Sequence, residues 1–163
     1  MTAARELPFL RPRGESGRAI GTRDWSATPV GAPVSWPAAI RTATGIMLES
    51  PGAVLLVWGP QLVVLHNDAA MAALGDERPD RLGRPGADAF PDTWPALRPL
   101  LDEVLAGAAV ALPAGLLGPG SPPGTCTPVR GDDGAVLGVF TALAPEARPQ
   151  YRTLVVRARS GSG

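Results

Sequence analysis

The sequence of 163 residues contains a single cysteine, Cys126, and a single histidine, His66. One cysteine excludes an internal disulfide, and one histidine excludes a multi-histidine metal site. The longest apolar run, Ala53 to Trp58, is far shorter than the roughly 20 residues that a membrane-spanning helix requires. Charged residues also interrupt the N-terminus where a signal peptide would be apolar. We therefore expect a cytoplasmic protein with no membrane association.

Lysine is absent, and all 15 basic residues are arginines, which balance 15 acidic residues. This zero net charge argues against a uniformly basic nucleic-acid binder. The charge is unevenly spread: residues 1–23 carry +3, residues 24–147 carry −7 and residues 148–163 carry +4. The basic ends are typical of solvated tails, and docking onto an acidic partner or a polyanion is the alternative.

The composition predicts one folded domain, because hydrophobic residues make up 45% of the chain and charged residues 18%. The 20 glycines and 19 prolines predict long irregular stretches. We expect four segments: an extended basic segment over 1–23, a loop and helix over 24–51 that packs on the domain, the domain itself over 52–144, and a basic flexible tail over 145–163.

Hydrophobic patterning predicts an α+β fold in which helices lie between two groups of antiparallel strands. Two short apolar runs around Gly59-Pro60 predict a hairpin, and a second hairpin is centred on Asp133-Gly134. A strand is also expected within Val110–Leu117. Asn67 or Asp68 would cap a short helix, and Asp92 or Thr93 would open a long one that ends at Gly107.

Several motifs resemble the PAS domains of bacterial signalling proteins, over roughly residues 14–144. The most specific is similar to the extension that precedes such domains in sensor histidine kinases: Asp24-Trp25-Ser26-x-Thr28-Pro29-x-Gly31-x-Pro33-x-Ser35-Trp36-Pro37. Trp58-Gly59-Pro60-x-Leu62 resembles the first PAS hairpin, and Asp132-Asp133-Gly134 the closing one. The resemblance implies a five-stranded antiparallel sheet with helices on one face, preceded by an N-terminal extension and helix.

The sequence departs from the PAS pattern at two places. Relatives have two aromatic-rich strands before the closing hairpin, whereas this chain has the glycine- and proline-rich stretch Gly118–Gly124. No phosphoacceptor helix, ATP-binding glycine box or cyclase motif follows the domain. We therefore expect either a stand-alone module or the remnant of a longer sensor.

The PAS resemblance implies an apolar pocket beneath the helices, with plain core packing as the alternative for each residue. The candidate pocket residues are Trp58, Leu65, His66, Asn67, Met71, Phe90, Trp94, Leu101 and Phe140. A second candidate site is a dimer interface on one helical face, formed by Trp36, Ile40, Ala43 and Met47.

No haem or flavin motif is evident, so the cofactor stays unassigned. His66 is the one side chain that could titrate near neutrality, but haem-binding relatives place their ligand on the long helix. Cys126 lacks the Asn-Cys-Arg context of light-sensing flavin domains and is expected to be an inert core residue. Asn67 and Asp68 are expected to cap a helix, with ligand orientation as the alternative.

The sequence thus favours a non-enzymatic sensory module of bacterial two-component or related signalling. It would bind a small ligand or a partner protein and relay its state by contact. The expected partner is a histidine kinase, a response regulator or a second copy of the chain. The alternative is a degenerate, ligand-free PAS scaffold for dimerisation or protein interaction.

Overall fold

The computed structural model describes residues 7–10 and 14–145. Its centre is a five-stranded antiparallel sheet in the order β2-β1-β5-β4-β3. The strands are β1 (Val54–Trp58), β2 (Val63–His66), β3 (Val110–Leu112), β4 (Gly124–Arg130) and β5 (Val136–Leu143). The α+β, PAS-like fold expected from the sequence is therefore confirmed.

Three helices follow the first hairpin and cover one face of the sheet, which we call the inner face. They are α3 (Asp68–Ala73), α4 (Gly86–Ala89) and α5 (Trp94–Leu105). The apolar stripe of α5 packs on the inner face, since Leu97, Leu101 and Val104 are buried together with Leu55 and Val57 of β1. The long helix predicted by periodicity is therefore present.

The N-terminal extension covers the opposite, outer face of the sheet with α1 (Gly14–Thr22) and α2 (Ala38–Glu49). Three tryptophans connect these layers: the Trp36 ring lies edge-on to Trp25 at 5.1 Å and to Trp58 of β1 at 5.6 Å between centroids. The indole N–H groups of Trp25 and Trp36 donate to the carbonyls of Ile20 and Gly31. The sheet thus lies between two helical layers.

Residues 1–23 were expected to run extended, and this prediction is wrong for Gly14–Thr22, which forms α1. The reason is a tertiary contact: the carboxylate of Asp68 accepts hydrogen bonds from the backbone amides of Glu15 and Ser16, 3.1 and 2.7 Å away. These amides begin the helix and have no partner within it. A residue 52 positions away in the chain therefore stabilises the start of α1.

The strand expected within Val110–Leu117 ends at Leu112. Pro113 follows, and it lacks the amide that a sheet hydrogen bond requires. Gly115 then adopts a positive φ of 84° and donates its amide to the carbonyl of Ser121, which closes a loop before β4.

Within the part of the chain that the structure describes, no helix has the length and apolar character needed to cross a membrane.

Candidate functional site

A small apolar cavity lies between the inner face of the sheet and α5. Its volume is about 20 Å³. It is lined by Leu55, Val57, Phe90, Trp94, Leu97, Leu101, Leu112, Leu117, Cys126 and Thr141. This volume suits about one water molecule, whereas an apolar cavity that binds benzene has roughly 150 Å³. The side chains as arranged therefore leave no room for a flavin or a haem.

The thiol and the hydroxyl group in the cavity wall are already engaged with each other. The thiol of Cys126 and the hydroxyl of Thr141 lie 3.3 Å apart on adjacent strands. Burial raises the pKa of Cys126, an effect that the hydrogen bond to Thr141 partly offsets. Since the thiolate is the reactive form of cysteine, a raised pKa makes this thiol unreactive at neutral pH.

The predicted pocket residues divide between the two faces of the sheet. Phe90, Trp94 and Leu101 line the cavity on the inner face. The other aromatic and aliphatic candidates on the strands, Trp58, Leu65 and Phe140, belong to the outer cluster beneath α2. Successive side chains of a strand point to opposite faces, so these residues cannot share a pocket with Phe90. Met71, His66 and Asn67 are buried but do not line the cavity.

The predicted dimer interface is covered by the chain itself. Trp36, Ile40, Ala43 and Met47 are at most 7% exposed and pack on the outer face of the sheet. Ile40, Ala43 and Met47 form a core-facing stripe of α2, and Trp36 precedes the helix. These residues therefore do not present a surface to a second molecule in this structure.

Asn67 is a structural junction between three elements. Its side-chain oxygen accepts hydrogen bonds from the amides of Ala70 in α3, at 2.9 Å, and Val54 in β1, at 3.1 Å. Its amide group donates to the carbonyls of Met47, at 2.9 Å, and Gly52, at 2.8 Å. The capping role predicted for Asn67 is therefore seen, and all of its strong hydrogen bonds are made within the protein.

His66 is fully buried beside the start of α1. Its Nδ1 lies 3.2 Å from the hydroxyl of Ser16 and 3.1 Å from the carbonyl oxygen of Asn67. Its Nε2 has no hydrogen-bond partner among the described residues. Burial lowers the pKa of His66, because a buried imidazolium loses its hydration.

Asp68 stands next to His66 and faces the same helix. Desolvation raises the pKa of its carboxyl group, but the hydrogen bonds from Ser16 and Glu15 outweigh this effect and leave the pKa lowered. Docking of α1 therefore favours the carboxylate form of Asp68. Asp68 caps α1, whereas Asn67 caps α3.

One part of the outer sheet face is left uncovered by the N-terminal helices. We call it the exposed strip: Ala111 of β3, Thr125 and Thr127 of β4, and Ala142 of β5, all of which are exposed. Ala111 pairs with Thr125, and Thr125 pairs with Ala142, so these side chains are neighbours across three strands. Phe140 pairs with Thr127 and is half-buried at the boundary with α2.

The comparisons with known proteins concern the fold alone. No protein-family model and no curated protein sequence matches the chain. Solved LOV domains are similar in structure. The LOV protein of Rhodobacter sphaeroides matches with a TM-score of 0.48 and 15% identity, over 72% of each chain. An RNA-binding Light-Oxygen-Voltage receptor matches with a TM-score of 0.45 and 16% identity, over 83% of this chain and 42% of its own.

Arg81 is a structural residue that the sequence analysis did not identify. Its guanidinium forms an ion pair with Asp76, with Nε and Oδ2 2.7 Å apart, and donates to the carbonyl of Ala89 at 3.0 Å. It also lies over the ring of Phe90, 4.7 Å from the centroid. Arg81 thereby fixes the loop after α3 against a wall of the cavity. The sequence signal was only an opposite-charge pair in a polar loop.

Proposed function

We propose that this PAS-like domain is a signalling module that acts by contact with a partner protein and holds no cofactor in its interior. The observation that carries this proposal is the interior cavity of about 20 Å³, with an apolar lining whose thiol and hydroxyl groups bond to each other. A small-molecule site needs several hundred cubic ångströms and a few polar groups that face the ligand.

The exposed strip is the surface that best suits such a contact. Its four residues are uncharged and small, so they form a flat area without the charged side chains that are most costly to bury. The half-buried ring of Phe140 at its border supplies an aromatic contact of the kind enriched at interfaces. We propose a histidine kinase or a response regulator as the partner, and a second copy of the chain as the alternative.

Native mass spectrometry tests the interior. We expect the mass of the purified, folded protein to equal that of the polypeptide. A stoichiometric small molecule that leaves on denaturation would contradict the proposal.

A binding experiment tests the surface. The probes are any histidine kinases or response regulators encoded beside this gene, and analytical ultracentrifugation of the protein alone tests self-association. We expect Thr127→Arg to weaken binding by at least a factor of about ten, or about 1.4 kcal/mol, because a charge buried without a partner is costly. The matched control is Thr42→Arg, on the solvent side of α2. Equal effects of the two variants would rule out the exposed strip as the contact surface.

A further inference from the structure

The polar contacts between α1 and the body of the domain converge on two neighbouring side chains. Asp68 accepts hydrogen bonds from the amides of Glu15 and Ser16, and His66 contacts the Ser16 hydroxyl through Nδ1. Ser16 and His66 are both fully buried. These polar contacts of α1 therefore depend on one carboxylate and one imidazole, both at its N-terminal end.

Protonation of His66 is incompatible with this arrangement on geometric grounds. A neutral imidazole leaves one of its two ring nitrogens without a proton, whereas an imidazolium carries a proton on both. The Nε2 atom is buried and has no acceptor among the described residues, so its proton would be an unsatisfied donor. The new positive charge would also lie beside the N-terminus of α1, which carries the positive end of the helix dipole.

The surrounding charges offset one another. Asp76 and Asp68 favour the imidazolium, and Arg81 opposes it. Asp76 and Arg81 are paired with each other at 2.7 Å, and the Asp68 carboxylate already accepts two amides of α1. On α1 itself, Glu15 and Arg18 are exposed to solvent. Burial thus remains the largest influence on the pKa of His66 and lowers it.

We propose that Ser16, His66 and Asp68 form an acid-sensitive latch, which holds α1 on the domain at neutral pH and releases it when His66 is protonated. Release would uncover apolar surface, because Ile20 of α1 is fully buried in the cluster that contains Val63 and Leu65 of β2. The latch would therefore control access to the outer face of the first hairpin, a region separate from the exposed strip.

The direction of the pH effect follows from linkage. Release of α1 would hydrate the imidazole and move the pKa of His66 back up toward the ordinary histidine value of 6.5, whereas docking lowers that pKa. The docked state therefore binds fewer protons, and docking is strongest above pH 6.5 and weakens as the pH falls below it. Between pH 7.5 and 5.5 the opening equilibrium of α1 can rise by up to about tenfold.

Hydrogen exchange of the full chain at pH 7.5, 6.5 and 5.5 tests the latch, with rates normalised to intrinsic exchange. We expect amides of residues 16–22 to lose protection by up to about tenfold, while amides of β1 keep theirs. In His66→Gln, which cannot gain a charge, the protection of α1 should no longer depend on pH in this range. Asp68→Asn is the control: it should weaken docking at every pH and keep the pH dependence.

Two results would overturn the proposal. One is an unchanged pH dependence in His66→Gln, and the other is a parallel loss of protection in α1 and β1, which would mean that His66 governs global stability. Should His66→Gln fail to fold, NMR titration of the wild-type protein decides, because its single histidine gives an unambiguous imidazole signal. We expect the α1 amide shifts to titrate with it, and a His66 titration that leaves them unmoved would refute the latch.

Discussion

Replacement of Asn67 provides a sharp test of how the layers of this domain are joined. The side chain is 4% exposed and makes four hydrogen bonds of 2.8 to 3.1 Å, to Met47, Gly52, Val54 and Ala70. In Asn67→Ala all four backbone groups lose this partner. If Asn67 were only a helix cap, Asn67→Ala would remove only the bond from the amide of Ala70.

The expected cost can be built from these contacts. Loss of the cap at Ala70 costs about 1 kcal/mol. Each of the other three bonds is made to a backbone group at the junction of α2, β1 and α3, and its loss costs about 1 kcal/mol. We therefore expect Asn67→Ala to lower the free energy of unfolding by about 4 kcal/mol. This is a large fraction of the roughly 5–15 kcal/mol of a typical domain.

Asn67→Asp separates the two roles, because a carboxylate retains the cap but cannot donate. Its second oxygen would face the carbonyls of Met47 and Gly52, to which the amide now donates. We expect a loss of at least about 2 kcal/mol in urea unfolding at pH 7. The control is Asp24→Ala, which removes an exposed cap at Ser26 and should destabilise the domain much less than Asn67→Asp. An Asn67→Asp variant as stable as the wild type would show that Asn67 acts only as a cap.

Two further substitutions test the packed interior, and guanidinium unfolding measures both. Leu101→Ala removes a buried side chain from the cavity wall and should lower the free energy of unfolding by about 3–4 kcal/mol. A loss below about 1 kcal/mol would show that the interior is loosely packed. In Gly86→Ala the new Cβ would lie 2.5 Å from ring atoms of Trp94, so we expect a loss of about 1–3 kcal/mol and an altered near-ultraviolet circular dichroism spectrum. Alanine favours a helix more than glycine does, so without the contact to Trp94 the substitution would stabilise α4. A Gly86→Ala variant that is more stable than the wild type would therefore contradict this packing.

The elements that the sequence predicted well are those with local signals. The stripe of α5 repeats every three to four residues, and the turn at Asp133-Gly134 closes β4 and β5 with Gly134 at a φ of 83°. The first hairpin follows from two β-branched runs around Gly59, whose φ is 79°. Each of these signals lies within the segment that it describes.

Helix α1 could not be predicted because its stabilising contacts are distant in sequence. Nothing within Gly14–Thr22 marks its start, and the side chain that accepts its first amides is Asp68. The apolar residue that anchors it, Ile20, is buried among side chains of α2 and β2. Periodicity within the segment is therefore a poor guide, since tertiary contacts determine its conformation.

The predicted pocket residues lie on both faces of the sheet, a division that the sequence did not show. All five residues of β1 are apolar and buried, so the strand shows no alternation from which its inner and outer residues could be told apart. Leu55 and Val57 face α5, while Val54, Leu56 and Trp58 face α2. The sequence therefore indicated which residues are buried but not on which side.

The missing alternation in β1 is itself informative. A strand of an antiparallel sheet with one face in water would carry polar residues at every second position. The apolar β1 thus requires cover on both faces, and the N-terminal extension supplies it on the outer face through Trp36 and Met47. Because the extension is part of the core, a change in how α1 docks must alter the packing on the outer face of the sheet. The contacts of His66 and Asp68 with α1 are the polar contacts that such a change in docking would break first.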